Sequence, residues 1–75
     1  MKEFRFNLNI SWDEFMAYYE GVARDVVAVS DEGLTVRFPA YVLRPYLTGR
    51  GIRGEFILEC DEHNKFSSIR RVEKR

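Results

Sequence analysis

Three stretches of this chain alternate apolar and polar residues with a period of two, and that alternation limits the fold more than any other feature. Lys2 to Asn9 puts Phe4, Phe6 and Leu8 on one side and Glu3, Arg5, Asn7 and Asn9 on the other. Leu34 to Phe38 sets Leu34, Val36 and Phe38 against Thr35 and Arg37. Ile52 to Cys60 sets Phe56, Leu58 and Cys60 against Glu55, Ile57 and Glu59. Successive side chains of a strand point to opposite faces, so each stretch reads as a strand with one buried face. Two further strands are expected: Val22 to Val29, rich in β-branched residues, and Phe66 to Val72, which returns after the polar turn Asp61 to Lys65 with Ser67 and Ser68 at a bulge.

The period changes once. Ser11 opens S-W-D-E, a capping box in which the Ser11 hydroxyl accepts the Glu14 amide and the Glu14 carboxylate returns to the Ser11 amide. A helix is predicted from Trp12 to Glu20, with Trp12, Phe15, Met16 and Tyr19 at helical spacing, Ile10 placed to staple onto Phe15, and Gly21 as a left-handed cap. Tyr18 and Tyr19 are adjacent and cannot both face inward. Ser30-Asp31-Glu32-Gly33 joins the second and third strands as a hairpin. Pro39 stops the third strand, Ala40 to Arg44 makes one helical turn before Pro45 breaks it, and Gly49, Gly51 and Gly54 form a flexible passage into the fourth strand. The expected fold is α+β: a small curled antiparallel five-stranded sheet or half-open barrel with one helix after the first strand, in the order β-α-β-β-β-β. Phe4, Phe6, Trp12, Phe15, Phe38, Phe56 and Phe66 supply its core.

At 75 residues the chain reads as a single domain spanning 1–75. A chain this short buries only roughly 60% of the surface exposed when unfolded. Its 45% hydrophobic and 15% aromatic content is enough for one modest core. Cys60 stands alone, which rules out an internal disulfide and fits a reducing cytoplasm. The start of the chain alternates charge and bulk, unlike an apolar signal core, and no run approaches the roughly 20 apolar residues that span a bilayer. Neither secretion nor membrane association is expected. Twelve basic and twelve acidic residues cancel, which argues against a general polyanion binder and leaves only a local patch for such work.

Catalytic and metal chemistries find little to use. His63, the one histidine, falls in a hairpin turn. Cys60 and His63 stand as C-x-x-H, half of a zinc site that wants four ligands. Asp13 and Glu14 favour a helix N-terminus, and Asp61 and Glu62 read as solvated turn acids. The letters G-R-G-I-R-G fit a dinucleotide loop, yet a strand follows where that motif needs a helix. No enzyme activity, metal or cofactor is therefore expected.

Residues 34–54 are the exception to the charge balance, with Arg37, Arg44, Arg50 and Arg53 and no carboxylate. Arginine forks match phosphate geometry, and Tyr41 and Tyr46 could stack on bases, so Arg37, Tyr41, Arg44, Tyr46, Arg50 and Arg53 are the candidate binding residues. The competing expectation is that these arginines pair internally with Asp13, Glu14, Glu20, Glu55 and Glu59 as surface bridges worth little each.

The segments S-W-D-E-F-M-A-Y-Y-E-G, F-P-A at Phe38 to Ala40, L-R-P at Leu43 to Pro45, G-I-R-G at Gly51 to Gly54 and N-K-F at Asn64 to Phe66 resemble domain of unknown function 2835. That family consists of short bacterial proteins. Tyr46-Leu47 stands where the family pattern has phenylalanine and a β-branched residue, a departure that touches local packing. The resemblance spans nearly the whole chain and implies a free-standing bacterial protein with no assigned activity, so no catalytic residue is carried over. The functional expectation is a binding or adaptor module, acting on an unidentified protein partner or as a homodimer through an exposed sheet edge. The alternative is single-stranded nucleic-acid or phosphate-ligand binding through the arginine-rich crossover.

Overall fold

The structure, a computed structural model, describes residues 1–21, 23–63 and 65–72. The chain runs β1 (Lys2–Ile10), α1 (Trp12–Tyr19), β2 (Asp25–Val29), β3 (Thr35–Pro39), a 3-10 helix (Ala40–Tyr46), β4 (Ile52–Cys60) and β5 (Phe66–Val72). Expectations that fall on Val22, on Asn64 and on the charged tail 73–75 lie outside the described residues.

The five strands form two sheets, not one. β4 is central in an antiparallel sheet of order β1-β4-β5, and β2 and β3 make a separate two-stranded hairpin. Among the described residues one backbone hydrogen bond joins the sheets, from the Asp31 amide to the Arg5 carbonyl at 2.8 Å. The single curled sheet is thus corrected, and the reason lies in the core. Phe6 on β1 packs on Phe38 of β3 with ring centroids 5.5 Å apart, and on Phe56 of β4 at 6.4 Å. Val26, Ala28, Val36 and Phe38 lie buried on the hairpin's inner face, and Phe6, Leu8, Phe56, Leu58 and Cys60 on that of the larger sheet. The two apolar rows bury each other by layering, which satisfies them without extending the ladder.

The outer face of the larger sheet is polar except at Ile57 in its centre and Val72 at the end of β5. Ile57 stands in register between Arg5 and Arg70 and is buried there. Arg5 pairs with Glu55 at 3.4 Å, and Arg70 reaches Glu3 at 3.6 Å and Glu59 at 3.8 Å. Long arginine stems can shield an isoleucine while their heads stay wet. Between β4 and β5 the register slips, Cys60 facing Phe66 and Glu59 facing Ser68, so Ser67 is the extra residue of a bulge.

α1 starts on the expected capping box. The Glu14 amide donates to Ser11 Oγ at 3.1 Å, and the Ser11 amide to Glu14 Oε1 at 3.4 Å. Phe15 is buried and Tyr18 half-buried against it, whereas Trp12 is 42% exposed and Tyr19 is outside. Trp12 therefore does not join the core, because the buried stripe runs through Phe15, Met16 and Tyr18. Phe66 also sits at the surface, on the sheet edge. Leu34, assigned to the core face, is 51% exposed. It precedes β3 and closes the turn, donating its amide to Ser30 Oγ while its carbonyl accepts the Ser30 amide.

Pro45 does not end the helical turn but lies within the 3-10 helix. Near the end of such a helix its missing amide costs little, and the Leu47 amide still reaches the Arg44 carbonyl at 3.2 Å. The passage through the glycines is a tight turn, not a flexible one. Thr48 and Gly51 exchange backbone bonds of 3.0 and 2.9 Å, and Gly51 is buried.

Candidate functional site

A cleft of about 580 Å³ lies where the end of α1 meets the start of the 3-10 helix. Its walls follow from three local events. The Glu20 amide closes α1 onto the Met16 carbonyl at 2.8 Å, and Gly21, at φ 82°, then reverses the chain. The Ala23 amide folds back onto the Ala17 carbonyl at 3.2 Å, which brings Arg24 and Asp25 alongside the helix end. Finally the Ala40 amide donates to the Arg24 carbonyl at 2.9 Å, fixing the first turn of the 3-10 helix opposite. Tyr18, Tyr19, Arg24, Asp25, Tyr41 and Arg44 line the space, with Phe15 and Ala40 among the apolar lining.

The lining has a definite electrostatic character. Arg44 Cζ sits 4.7 Å from the centroid of the Tyr19 ring, a cation–π contact that holds one guanidinium at the rim. α1 has no basic residue in its own last turn, so Arg44 also brings a cation to the negative end of that helix. Tyr41 is 68% exposed, with its ring at the mouth. Two arginines and one aspartate are among the lining residues, and among the described residues no ion pair involves Arg24, Asp25 or Arg44. The arrangement offers forked donors, a free aromatic face and an acceptor.

Of the six candidates drawn from the sequence, Tyr41 and Arg44 share this cleft. The other four go elsewhere. Arg37 is exposed on the outer face of the hairpin, opposite Val27, and Arg53 stands on the outer face of the larger sheet opposite Asn9. Arg50 is at the exposed tip of the Thr48–Gly51 turn, its amide on Thr48 Oγ1 at 3.2 Å. Tyr46 is half-buried, edge-on to Phe56 at 5.3 Å, with its hydroxyl donating to the Ile69 carbonyl at 3.4 Å. It bolts the 3-10 helix to β5. Internal neutralisation is not what occupies the arginines: Glu55 and Glu59 pair with Arg5 and Arg70, and among the described residues Arg37, Arg44, Arg50 and Arg53 have no carboxylate within 4.0 Å. Arg24 and Tyr19 escaped sequence reasoning. The available signal was Gly21, which, as a left-handed cap, turns the residues after it back beside the helix end.

Residues 2–72 match the family described as protein of unknown function, DUF2835. The chain belongs to the DUF2835 family. No curated protein and no solved structure matches it.

A second groove of about 760 Å³ opens at the opposite end of the DUF2835 fold, between the start of β1, the end of β4 and β3. Phe4, Leu34, Val36, Leu58 and Cys60 form its apolar wall, and Lys2, Glu3, Glu32 and Arg37 its charged rim. Burial pushes the Cys60 thiol above its ordinary value, with Asp61 adding to the rise and Lys2 opposing it. A thiol so held stays protonated and is a poor nucleophile or ligand at neutral pH. Asp61 is engaged in its turn, where Oδ1 accepts the His63 and Lys65 amides at 2.8 and 3.0 Å.

Proposed function

We propose that this DUF2835 protein is a non-catalytic, cytoplasmic binding module that works by protein–protein contact, and that it pairs with a second copy of itself along β3. The observation that supports this reading is the state of the β3 edge. Arg24 bonds to Ala40 and Ser30 to Leu34 at the two ends of the hairpin, and the register between them pairs Val26 with Phe38 and Ala28 with Val36. In an antiparallel ladder bonded and non-bonded pairs alternate, so the amides and carbonyls of Thr35 and Arg37 point outward. Among the described residues no strand pairs with that edge. Open edges of this kind are paired or blocked in proteins that persist in solution.

A second copy fits the edge and its surroundings. The rim of the adjoining groove holds Arg37 and Glu32, one of each sign, so a two-fold does not bring together two faces of a single charge. With the axis at Val36, Thr35 of one copy lies opposite Arg37 of the other, and like charges do not meet. Sedimentation velocity from micromolar to near-millimolar protein should show a monomer–dimer equilibrium. Thr35→Pro, which removes only an outward amide, should leave a folded monomer, and Thr35→Val should still dimerise. A wild type that stays monomeric throughout would discard the reading.

A second reading, single-stranded nucleic-acid or phosphate binding through Arg37, Arg44, Arg50 and Arg53, is supported by their freedom from carboxylates. Their dispersal over separate elements counts against it as a continuous track. Titration with short RNA and DNA decides it: affinity that falls steeply with salt supports phosphate contacts, and no binding at low salt removes them.

A further inference from the structure

We infer that the cleft between α1 and the 3-10 helix binds a nucleotide unit, a flat heteroaromatic base carrying a phosphate, with Arg24 and Arg44 as the phosphate donors and Tyr41 as the stacking face. The inference concerns a different surface from the β3 edge and does not rest on self-association.

Four observations converge on it. First, at about 580 Å³ the space falls within the range of small-ligand clefts, roughly 300–1,000 Å³. Second, Arg24 and Arg44 approach it from separate elements, the lead-in to β2 and the 3-10 helix, and neither meets a carboxylate among the described residues. Two planar forks at one cavity suit a phosphate, whose several oxygens each accept, better than a single carboxylate. Arg44 is already oriented by the Tyr19 ring, which lowers the ordering cost of placing its fork.

Third, the aromatic rings are not equivalent. Arg44 covers a face of Tyr19, and Tyr18 packs on Phe15 at 5.9 Å, so Tyr41 is the ring left open at the mouth. An open ring beside guanidiniums is what a base stacks on. Fourth, among the described residues Asp25 supplies the one anionic acceptor in the lining. A carboxylate there repels phosphate but accepts from the exocyclic amine of a base, so the two ends of the ligand have different places to go.

The nucleotide could be free or the end of a strand, and one titration distinguishes them. Calorimetric titration at low salt should use adenosine monophosphate, adenosine, inorganic phosphate and a 5′-phosphorylated adenosine pentanucleotide. Adenosine monophosphate is expected to bind at least tenfold tighter than adenosine or phosphate alone. A pentanucleotide that binds tenfold tighter again, with a steeper loss in salt, assigns the site to strand ends; equal affinity assigns it to free nucleotide. Arg44→Ala and Arg24→Ala should each weaken binding about tenfold. Arg44→Lys should restore only part, because an ammonium lacks the fork. Tyr41→Phe should bind like the wild type and Tyr41→Ala should not. Because Tyr41 is exposed, thermal unfolding of its variants serves as the folding control. Failure of both adenosine monophosphate and the pentanucleotide to bind at millimolar concentration, or unchanged affinity in a folded Arg44→Ala, would overturn the inference.

Discussion

Gly51 shows how far a single backbone position constrains this chain. Its φ is +97°, and a Cβ there would overlap the Ile10 carbonyl oxygen and lie 2.7 Å from the Ser11 carbonyl carbon. The end of β1 and the start of α1 rest directly on this residue, so strain and steric overlap act together. Gly51→Ala should cost about 3 kcal/mol, read as a drop in the urea midpoint. Gly49 gives the contrast: its φ is unremarkable and a Cβ there meets nothing within 4 Å, so Gly49→Ala should stay within about 0.5 kcal/mol. Equal effects at the two positions would contradict the packing described. In the sequence both are simply glycines of one loop, because the contact that separates them comes from a segment about 40 residues earlier.

At the level of elements, α1 depends on its surroundings. Eight residues are too few for a helix to persist alone in water, so its cap and its contacts carry it. Ser11→Ala removes the hydroxyl that accepts the Glu14 amide and should cost about 1 kcal/mol by chemical denaturation, with Ser11→Asp close to the wild type. The capping box was legible because it is purely local, each partner lying three residues from the other. The buried stripe of the same helix was less so. Trp12, Phe15, Met16 and Tyr19 share a spacing, and so do Phe15 and Tyr18; the position of the sheet selects Phe15, Met16 and Tyr18 and leaves Trp12 and Tyr19 outside. The 3-10 helix was half legible for a similar reason. Pro45 does block an α-helix interior, but the tighter helix at its end loses nothing essential to it. The candidate site divides along the same line: Tyr41 and Arg44 stand out in a charge-biased segment, whereas Arg24 becomes part of the cleft only through the reversal at Gly21.

For the whole molecule, the order of strands and the helix could be read from alternation and turn residues, while the division into two sheets could not. Alternation says which face of a strand is buried, not which strand lies beside it. Stability also responds to pH as a global property through Cys60. Its thiol titrates above the ordinary 9.0 in the folded protein, chiefly because it is buried. Between the ordinary value and the raised one the folded state holds a proton that the unfolded chain has released. The resulting stabilisation is fully present below pH 9.0 and is lost as pH rises through the folded value. Compared with Cys60→Ala, the wild type should keep a constant difference in unfolding free energy at neutral pH and lose ground above pH 9.0. Parallel curves for the two proteins up to pH 10 and beyond would rule out the burial effect.

Among the described residues, the bond from Asp31 to Arg5 is the one backbone tie between the two sheets. Within a continuous sheet, displacing a strand by one residue exchanges its inner and outer side chains, so each ladder locks its neighbours. Across the junction between β1 and the hairpin there is, among the described residues, no ladder to lock. That boundary is held by side-chain packing, with Val26, Ala28, Val36 and Phe38 set in one core with Phe6, Leu8, Phe56 and Leu58, and is pinned at one end. A small rotation of the hairpin about that pin would change the aperture of the groove beside β3 without disturbing a single pairing inside either sheet.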